Sequence, residues 1–165
     1  MKRRLILDSL GDDFDGGLIA NNPRYLARAY DKIKTLPEFS LICKPLTDGH
    51  SADCLKLMKN IQNAWGVIDE VDRYMSPWNT NPDLKEIINY GRHRPVSLLA
   101  IARRPAAVAR ELTASADCII AHQTTEKRDL EYLASFMDVS PLPTLKPFEW
   151  LASAPFSLWG DHAAA

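Results

Sequence analysis

Glycine is scarce in this chain: there are seven in 165 residues, and none is followed by lysine. That excludes, within these residues, the Gly-x-x-x-x-Gly-Lys-Ser/Thr loop whose backbone N–H groups cradle phosphates. Cysteine is scarcer still. Cys43, Cys54 and Cys118 are odd in number, widely spaced and set among apolar neighbours. They read as buried free thiols of a reducing cytosol, which excludes a disulfide framework and a cysteine metal site. The four histidines are scattered without metal-ligand spacing. No apolar run approaches the roughly 20 residues of a membrane-spanning helix. The run after Met1-Lys-Arg-Arg is also too short for a signal peptide. Net charge is −1, so no global field draws this chain to nucleic acid. Cations do cluster locally, at Arg92, His93 and Arg94 and at Arg103, Arg104 and Arg110, and a solvated positive face is their plainest reading.

What is present is an ordinary globular composition, 46% apolar and 25% charged, enough for one domain with a core of its own. The chain is read as a single domain over 1–165, with an extended, proline-containing tail from 141 to 165. It has no internal repeats and no low-complexity tract. Apolar runs of strand length alternate with helical patterns. Leu5-Ile6-Leu7 ends on Asp8 and a Gly- and Asp-rich loop that runs through Gly17. Asn22-Pro23 opens a helix with proline at an early position. Tyr25, Leu26, Ala29, Ile33 and Leu36 keep helical spacing until Pro37.

Phe39 to Cys43 reads as the second strand, and Ser51 opens a helix with Leu55, Met58, Ile61 and Trp65 on its buried stripe. Val67-Ile68 is the third strand. After a turn-rich loop, Asp83 to Tyr90 is a short helix and Val96 to Ala102 the fourth strand. Pro105 to Thr113 is helical, Cys118 to Ala121 is the fifth strand, and Thr125-Glu126 caps a last helix with Leu130, Leu133, Ala134 and Met137. A last strand or apolar plug is expected at Phe156–Trp159. Short apolar strands separated by helices predict an α/β fold: three layers, a mostly parallel sheet, and helices on both faces.

In such sheets ligands bind beyond the carboxyl ends of the strands. Asp8, Asp69, Glu70, Arg103 and His122 all fall at or just past predicted strand ends and are expected to crowd one edge. Trp65-Gly-Val-Ile-Asp69-Glu70 is the most informative stretch, an apolar strand ending on two adjacent carboxylates. The arrangement resembles that of nucleotide hydrolases of the P-loop class, in which the first such carboxylate holds Mg²⁺ and the second polarises the attacking water. Capping of the following turn is the plain alternative. For Asp8 it is a turn-forming aspartate. Trp65 and Trp78 read as core or interface residues.

Three features occur in order: Asp69-Glu70, then Gly91-Arg92-His93, then Val96-Ser-Leu-Leu-Ala-Ile-Ala-Arg-Arg-Pro105. This order resembles the FtsK/HerA group of P-loop ATPases and the related phage morphogenesis proteins of the zonula occludens toxin-like type. Ala116-Asp-Cys-Ile-Ile-Ala-His-Gln123 and Glu126-Lys-Arg-Asp129 resemble that group's next strand and helix. Leu5-Ile-Leu-Asp8 resembles the strand that follows its phosphate-loop helix.

The resemblance covers roughly Arg4 to Met137. It implies a RecA-like motor fold, ATP and Mg²⁺ as cofactors, and partners that are further copies or another ATPase subunit. In active members the substrate is DNA or an extruding virion. Carried over, Asp69 sits in the Mg²⁺ shell, with Asp8 beside the cofactor, and Glu70 is the water-activating base. Arg103 takes the polar sensor position, Arg104 matches a family arginine, and Arg92 lies at a subunit boundary.

Two departures stand out. The phosphate-cradling segment is absent from these residues. The family's usual Gln is Arg103, which can donate hydrogen bonds but not accept them. Two readings therefore stay open. One is a non-catalytic descendant that serves as a binding or assembly module. The other is an active ATPase whose phosphate loop comes from an upstream segment or another chain. The resemblance implies a phosphate-loop strand between the strands expected at Val96–Ala102 and Cys118–Ala121; if Met1 is the native start, that slot must be closed directly or filled by the tail or a partner.

Overall fold

A computed structural model describes residues 2–10, 14, 16–91 and 96–153. Arg92 and the segment 156–159 lie outside them. The chain divides into two compact units, Met1–Arg103 and Arg104–Ala165.

The first unit is built on a five-stranded sheet in the order β2-β3-β1-β4-β5. Its strands are β1 (Arg3–Leu7), β2 (Leu18–Ala20), β3 (Phe39–Cys43), β4 (Ala64–Ile68) and β5 (Val96–Ala100). Every pairing is parallel. Central β1 is the most deeply enclosed, with Leu5, Ile6 and Leu7 all essentially inaccessible to water. Such an uninterrupted apolar run belongs to a strand covered on both faces.

Register sorts the side chains into two layers. Leu5, Leu41, Gly66 and Leu98 form one row across the sheet, and Ile6, Ile42, Val67 and Leu99 form the next row on the opposite face. The first row meets α2 (Asp48–Asn60). Gly66 sets that distance, because a Cβ there would stand 2.5 Å from Met58 Sδ on α2. Only a residue without a side chain lets the fully buried Met58 lie flat on β4. Helices α1 (Pro23–Ile33) and α3 (Pro82–Tyr90) flank α2. On the opposite face Phe14 and Leu99 pack against Ile6, Ile42 and Val67.

Local chemistry explains the helix ends. Asn22 and Asn81 each accept backbone N–H bonds as N-caps immediately before a proline, and Thr47 caps α2 by accepting from His50 N. Lys59 at the end of α2 reaches Asp83 and Glu86 on α3, at 2.5 and 3.1 Å, and ties the two helices together.

Three sequence expectations are corrected or narrowed in this unit. Just past the loop expected through Gly17 lies an unforeseen strand, β2, which pairs with β3. It is only three residues long and follows Gly16-Gly17, which masked it as a turn. Gly16 does turn, with φ +71, and a Cβ at Gly17 would stand 2.7 Å from Ser40 Oγ. Trp65 belongs to β4, not to the helix before it. Trp78 is 90% exposed, which removes it from the core.

The second unit contains α4 (Arg110–Ala114), β6 (Ile120–His122), α5 (Lys127–Leu133) and β7 (Trp150–Ala152). Short 3₁₀ turns occupy Pro105–Ala107 and Leu142–Thr144. The strand expected at 118–121 forms two residues later, and its pairing differs from expectation. β6 joins β7 in a separate two-stranded antiparallel ribbon. Its burial shows why. Ala121 faces the core while Ile120 and His122 face out, a one-sided pattern natural to an antiparallel pair. Ala121, Leu133 and Leu142 centre this unit's core, so part of the stretch read as a tail is packed inside it. The helix expected over Pro105–Thr113 is broken into the 3₁₀ turn and α4.

Candidate functional site

Asp8 and Asp69 lie just past the C-terminal ends of neighbouring strands. The parallel register pairs Leu7 with Ile68, so the next position on each strand sets Asp8 beside Asp69, on the face that carries Ile6 and Val67. Backbone bonds extend the ladder through both: Asp8 N donates to Cys43 O at 2.9 Å, and Asp69 N to Leu7 O at 3.0 Å. Both side chains are enclosed, Asp8 completely. Lys44 Nζ stands 3.4 Å from Asp8 Oδ2, which also accepts from Phe14 N at 3.3 Å. Burying a carboxylate this deeply is costly without such partners.

Glu70 then turns the chain. Its backbone is left-handed, φ 50 and ψ 50, and leads into a 3₁₀ turn at Val71–Arg73. That conformation costs a non-glycine residue on the order of 1–3 kcal/mol and is found disproportionately at functional sites. Val71 N returns to Ile101 O at 2.8 Å, which locks the corner to the end of β5. The Glu70 side chain is 4% exposed and lies between two arginines. Arg103 Nε is 2.9 Å from Oε1, and Arg73 Nη1 is 3.6 Å from Oε2. The Arg103 contact is close but poorly aligned, since Oε1 receives no hydrogen bond from the described residues. It is an ionic contact that leaves the oxygen's lone pairs unfilled. Arg103 itself is 70% exposed.

A hydroxyl chain braces the same corner. Ser9 Oγ donates to Asp69 O at 2.7 Å and lies 2.9 Å from Tyr74 Oη, which in turn lies 3.2 Å from Ser51 Oγ in the first turns of α2. Arg73 adds a bond from Nη1 to Ser9 O at 3.3 Å. The exits of β1 and β4 are thus tied to each other and to α2. Sequence reasoning missed Tyr74 and Arg73 as supports. Their signal was spacing: three and four residues beyond Glu70, within reach of one turn.

Of the residues expected at one edge, the structure brings together Asp8, Asp69, Glu70 and Arg103. His122 belongs to the second unit's ribbon, where its Nδ1 lies 3.1 Å from Glu149 O. Arg104 also belongs to the second unit and is held there. Its Nε donates to Asp129 Oδ2 at 2.7 Å, and its Nη2 lies 3.7 Å from Glu126. Asp129, 1% exposed, also accepts from Ala106 N at 3.1 Å, so it clamps Arg104 and the 3₁₀ turn onto α5.

The donors suit Mg²⁺ in one particular way. No cluster of three or more metal-ligating side chains exists among the described residues. An all-protein cage is therefore not built from them. Mg²⁺ is commonly held by one or two carboxylates, with waters and substrate phosphates completing its octahedron. Asp69, an aspartate at a strand end, fits that scheme. Asp8 is already engaged by Lys44. No helix among the described residues is long and apolar enough to cross a membrane.

No family model matches the sequence, and no curated protein matches it significantly. Solved structures do match. The genome packaging NTPase B204 from Sulfolobus turreted icosahedral virus 2, in complex with sulfate, superposes with a TM-score of 0.72. Identity is 18%, over 92% of this chain and 75% of that one. The same NTPase in complex with ATPγS gives a TM-score of 0.69 at 17% identity, over 92% of this chain and 75% of that one. B204, the DNA-packaging ATPase from Sulfolobus turreted icosahedral virus, gives 0.58 at 17% identity, over 92% of this chain and 91% of that one. The chain has the fold of these packaging ATPases. Its mostly parallel α/β sheet is the fold class expected from the sequence.

Proposed function

We propose that the chain is an ATPase-like module of the genome-packaging type, and that it carries the metal-holding and water-activating half of a nucleotide site. In this reading the 165 residues by themselves bind and assemble rather than hydrolyse. Two things support it: the Asp69-Glu70 corner, and the fold shared with packaging NTPases solved with ATPγS and AMPPCP. The observation that carries the non-hydrolytic part is the state of Glu70. A carboxylate that takes a proton from water has to face that water, whereas Glu70 is enclosed between Arg103 and Arg73.

When bound, Mg²⁺ would neutralise charge that builds on the β- and γ-phosphate oxygens. Asp69 would hold it, and the Ser9–Tyr74–Ser51 chain would hold the strand end that carries Asp69. Partners in this reading are further copies of the chain or another ATPase subunit, with DNA as the cargo.

A second reading rests on β5. It ends the sheet, and among the described strands none pairs with its outer edge. Leu98 and Leu99 are only half-buried there. An unpaired apolar edge is a template for another strand. A phosphate-loop strand from an upstream segment or a second chain, added at β5, would complete an active ATPase for DNA translocation, packaging or virion assembly.

The test is Mg²⁺-ATP binding to the purified chain by calorimetry, with light scattering on the same sample. The first reading expects no turnover and weak or no binding in the monomer. Micromolar binding in an oligomer, with turnover that Glu70→Gln abolishes, would replace it with the second. Turnover in a monomer would sink both.

A further inference from the structure

We propose that Arg103 and Arg73 form a binding site for a phosphate-class anion, and that Glu70 is its built-in occupant, displaced when the anion arrives. The proposal deepens the nucleotide reading above and rests on it for the identity of the ligand, although the competition itself is read from the Glu70 corner.

Three observations carry it. First, the two ends of the Arg103–Glu70 contact are unlike: the guanidinium is 70% exposed, whereas the carboxylate is 4% exposed. An anion from solvent can therefore reach Arg103 without first opening the site. Second, the contact is ionic but poorly aligned, and Oε1 has no hydrogen bond from the described residues. A tetrahedral phosphate can meet the guanidinium fork with two parallel charge-assisted bonds, which the present contact does not use. Third, Glu70 sits on a left-handed backbone at the end of a rigid strand. Once Arg103 is taken, Arg73, at 3.6 Å, is the one cation among the described residues that remains beside the buried carboxylate. A buried carboxylate that loses a cation is costly, so the side chain turns towards water. Anion capture and release of Glu70 from Arg103 are then one event.

Two phosphate sources share this chemistry, the chain of a nucleotide and the backbone of a nucleic acid. Calorimetry with metal-free tripolyphosphate stands for the first, and a thymidine decanucleotide for the second. Competition predicts that Glu70→Gln tightens binding of one of these probes by about fivefold or more, the low end of typical coupling between linked sites. Arg103→Met should lose that binding, Arg103→Lys should restore part of it, and the double variant Glu70→Gln/Arg103→Met should behave as Arg103→Met alone. Circular dichroism checks that each variant is folded. The proposal is overturned if folded Glu70→Gln binds both probes no more tightly than wild type, or if Arg103→Met binds them equally well. A Mg²⁺-ATP titration separates the two claims. Probe binding that follows Glu70 and Arg103 without any Mg²⁺-ATP binding keeps the anion site and removes the nucleotide reading. Mg²⁺-ATP binding indifferent to both residues does the reverse.

Discussion

At the scale of single residues, the chain's chemistry is decided by what surrounds a few buried polar groups. Asp69 and Glu70 are adjacent in sequence and both enclosed, yet they are treated differently: one continues a strand ladder, and the other turns left-handed between two arginines. Adjacency was legible from the sequence; the turn was not, because φ at a glutamate depends on what the next turn bonds to. Cys54 shows the same dependence. Its thiol contacts Cys43, and that contact, together with full burial, pushes its pKa well above the ordinary thiol range. The folded state therefore keeps this proton to higher pH than the unfolded chain, which releases it near about 8.5. Stability from this source is complete below that value and is lost as pH rises from it towards the folded pKa. Unfolding midpoints in urea should fall as pH climbs from about 8.5, and Cys54→Ala, whatever its baseline, should fall less steeply. Equal slopes would show that the thiol does not titrate differently on folding.

At the scale of elements, caps and apolar spacing made most of the first unit readable. Asn22-Pro23 and Asn81-Pro82 announce α1 and α3 because asparagine satisfies orphan N–H groups and proline has none to lose. Asn81 accepts from both Asp83 N and Leu84 N, and α3 brings Asp83 and Glu86 to Lys59. Asn81→Ala should therefore cost about 1 kcal/mol in chemical unfolding. A change within error would mean that packing of Leu84 and Ile87, not the cap, fixes the start of α3. The elements misread from sequence are short ones. β2 and β7 have three residues each, too few for periodicity to separate a strand from a turn. Their partners are distant in sequence, and pairing with those partners is what makes them strands.

At the scale of the whole molecule, protection should follow the sheet. β1 is paired on both sides, by β3 and β4, and its apolar residues are inaccessible, so its amides should exchange slowest. The β6–β7 ribbon has one pairing and an exposed outer face, and its amides should exchange faster. Hydrogen exchange read by NMR checks the ranking, and equal protection in the two would contradict it. By itself the sequence determined the α/β class, the order of the main strands and helices, and the position of the carboxylate pair at a strand end. Apolar period, caps and breakers are local properties, and they are written along the chain. Only the tertiary structure decided that β6 leaves the parallel sheet, that Tyr74 and Ser51 brace the Asp69 corner, and that Arg103 and Arg73 hold Glu70. Those outcomes depend on which distant groups meet in a low-dielectric interior, where an unpaired polar atom or charge is costly enough to select its partner.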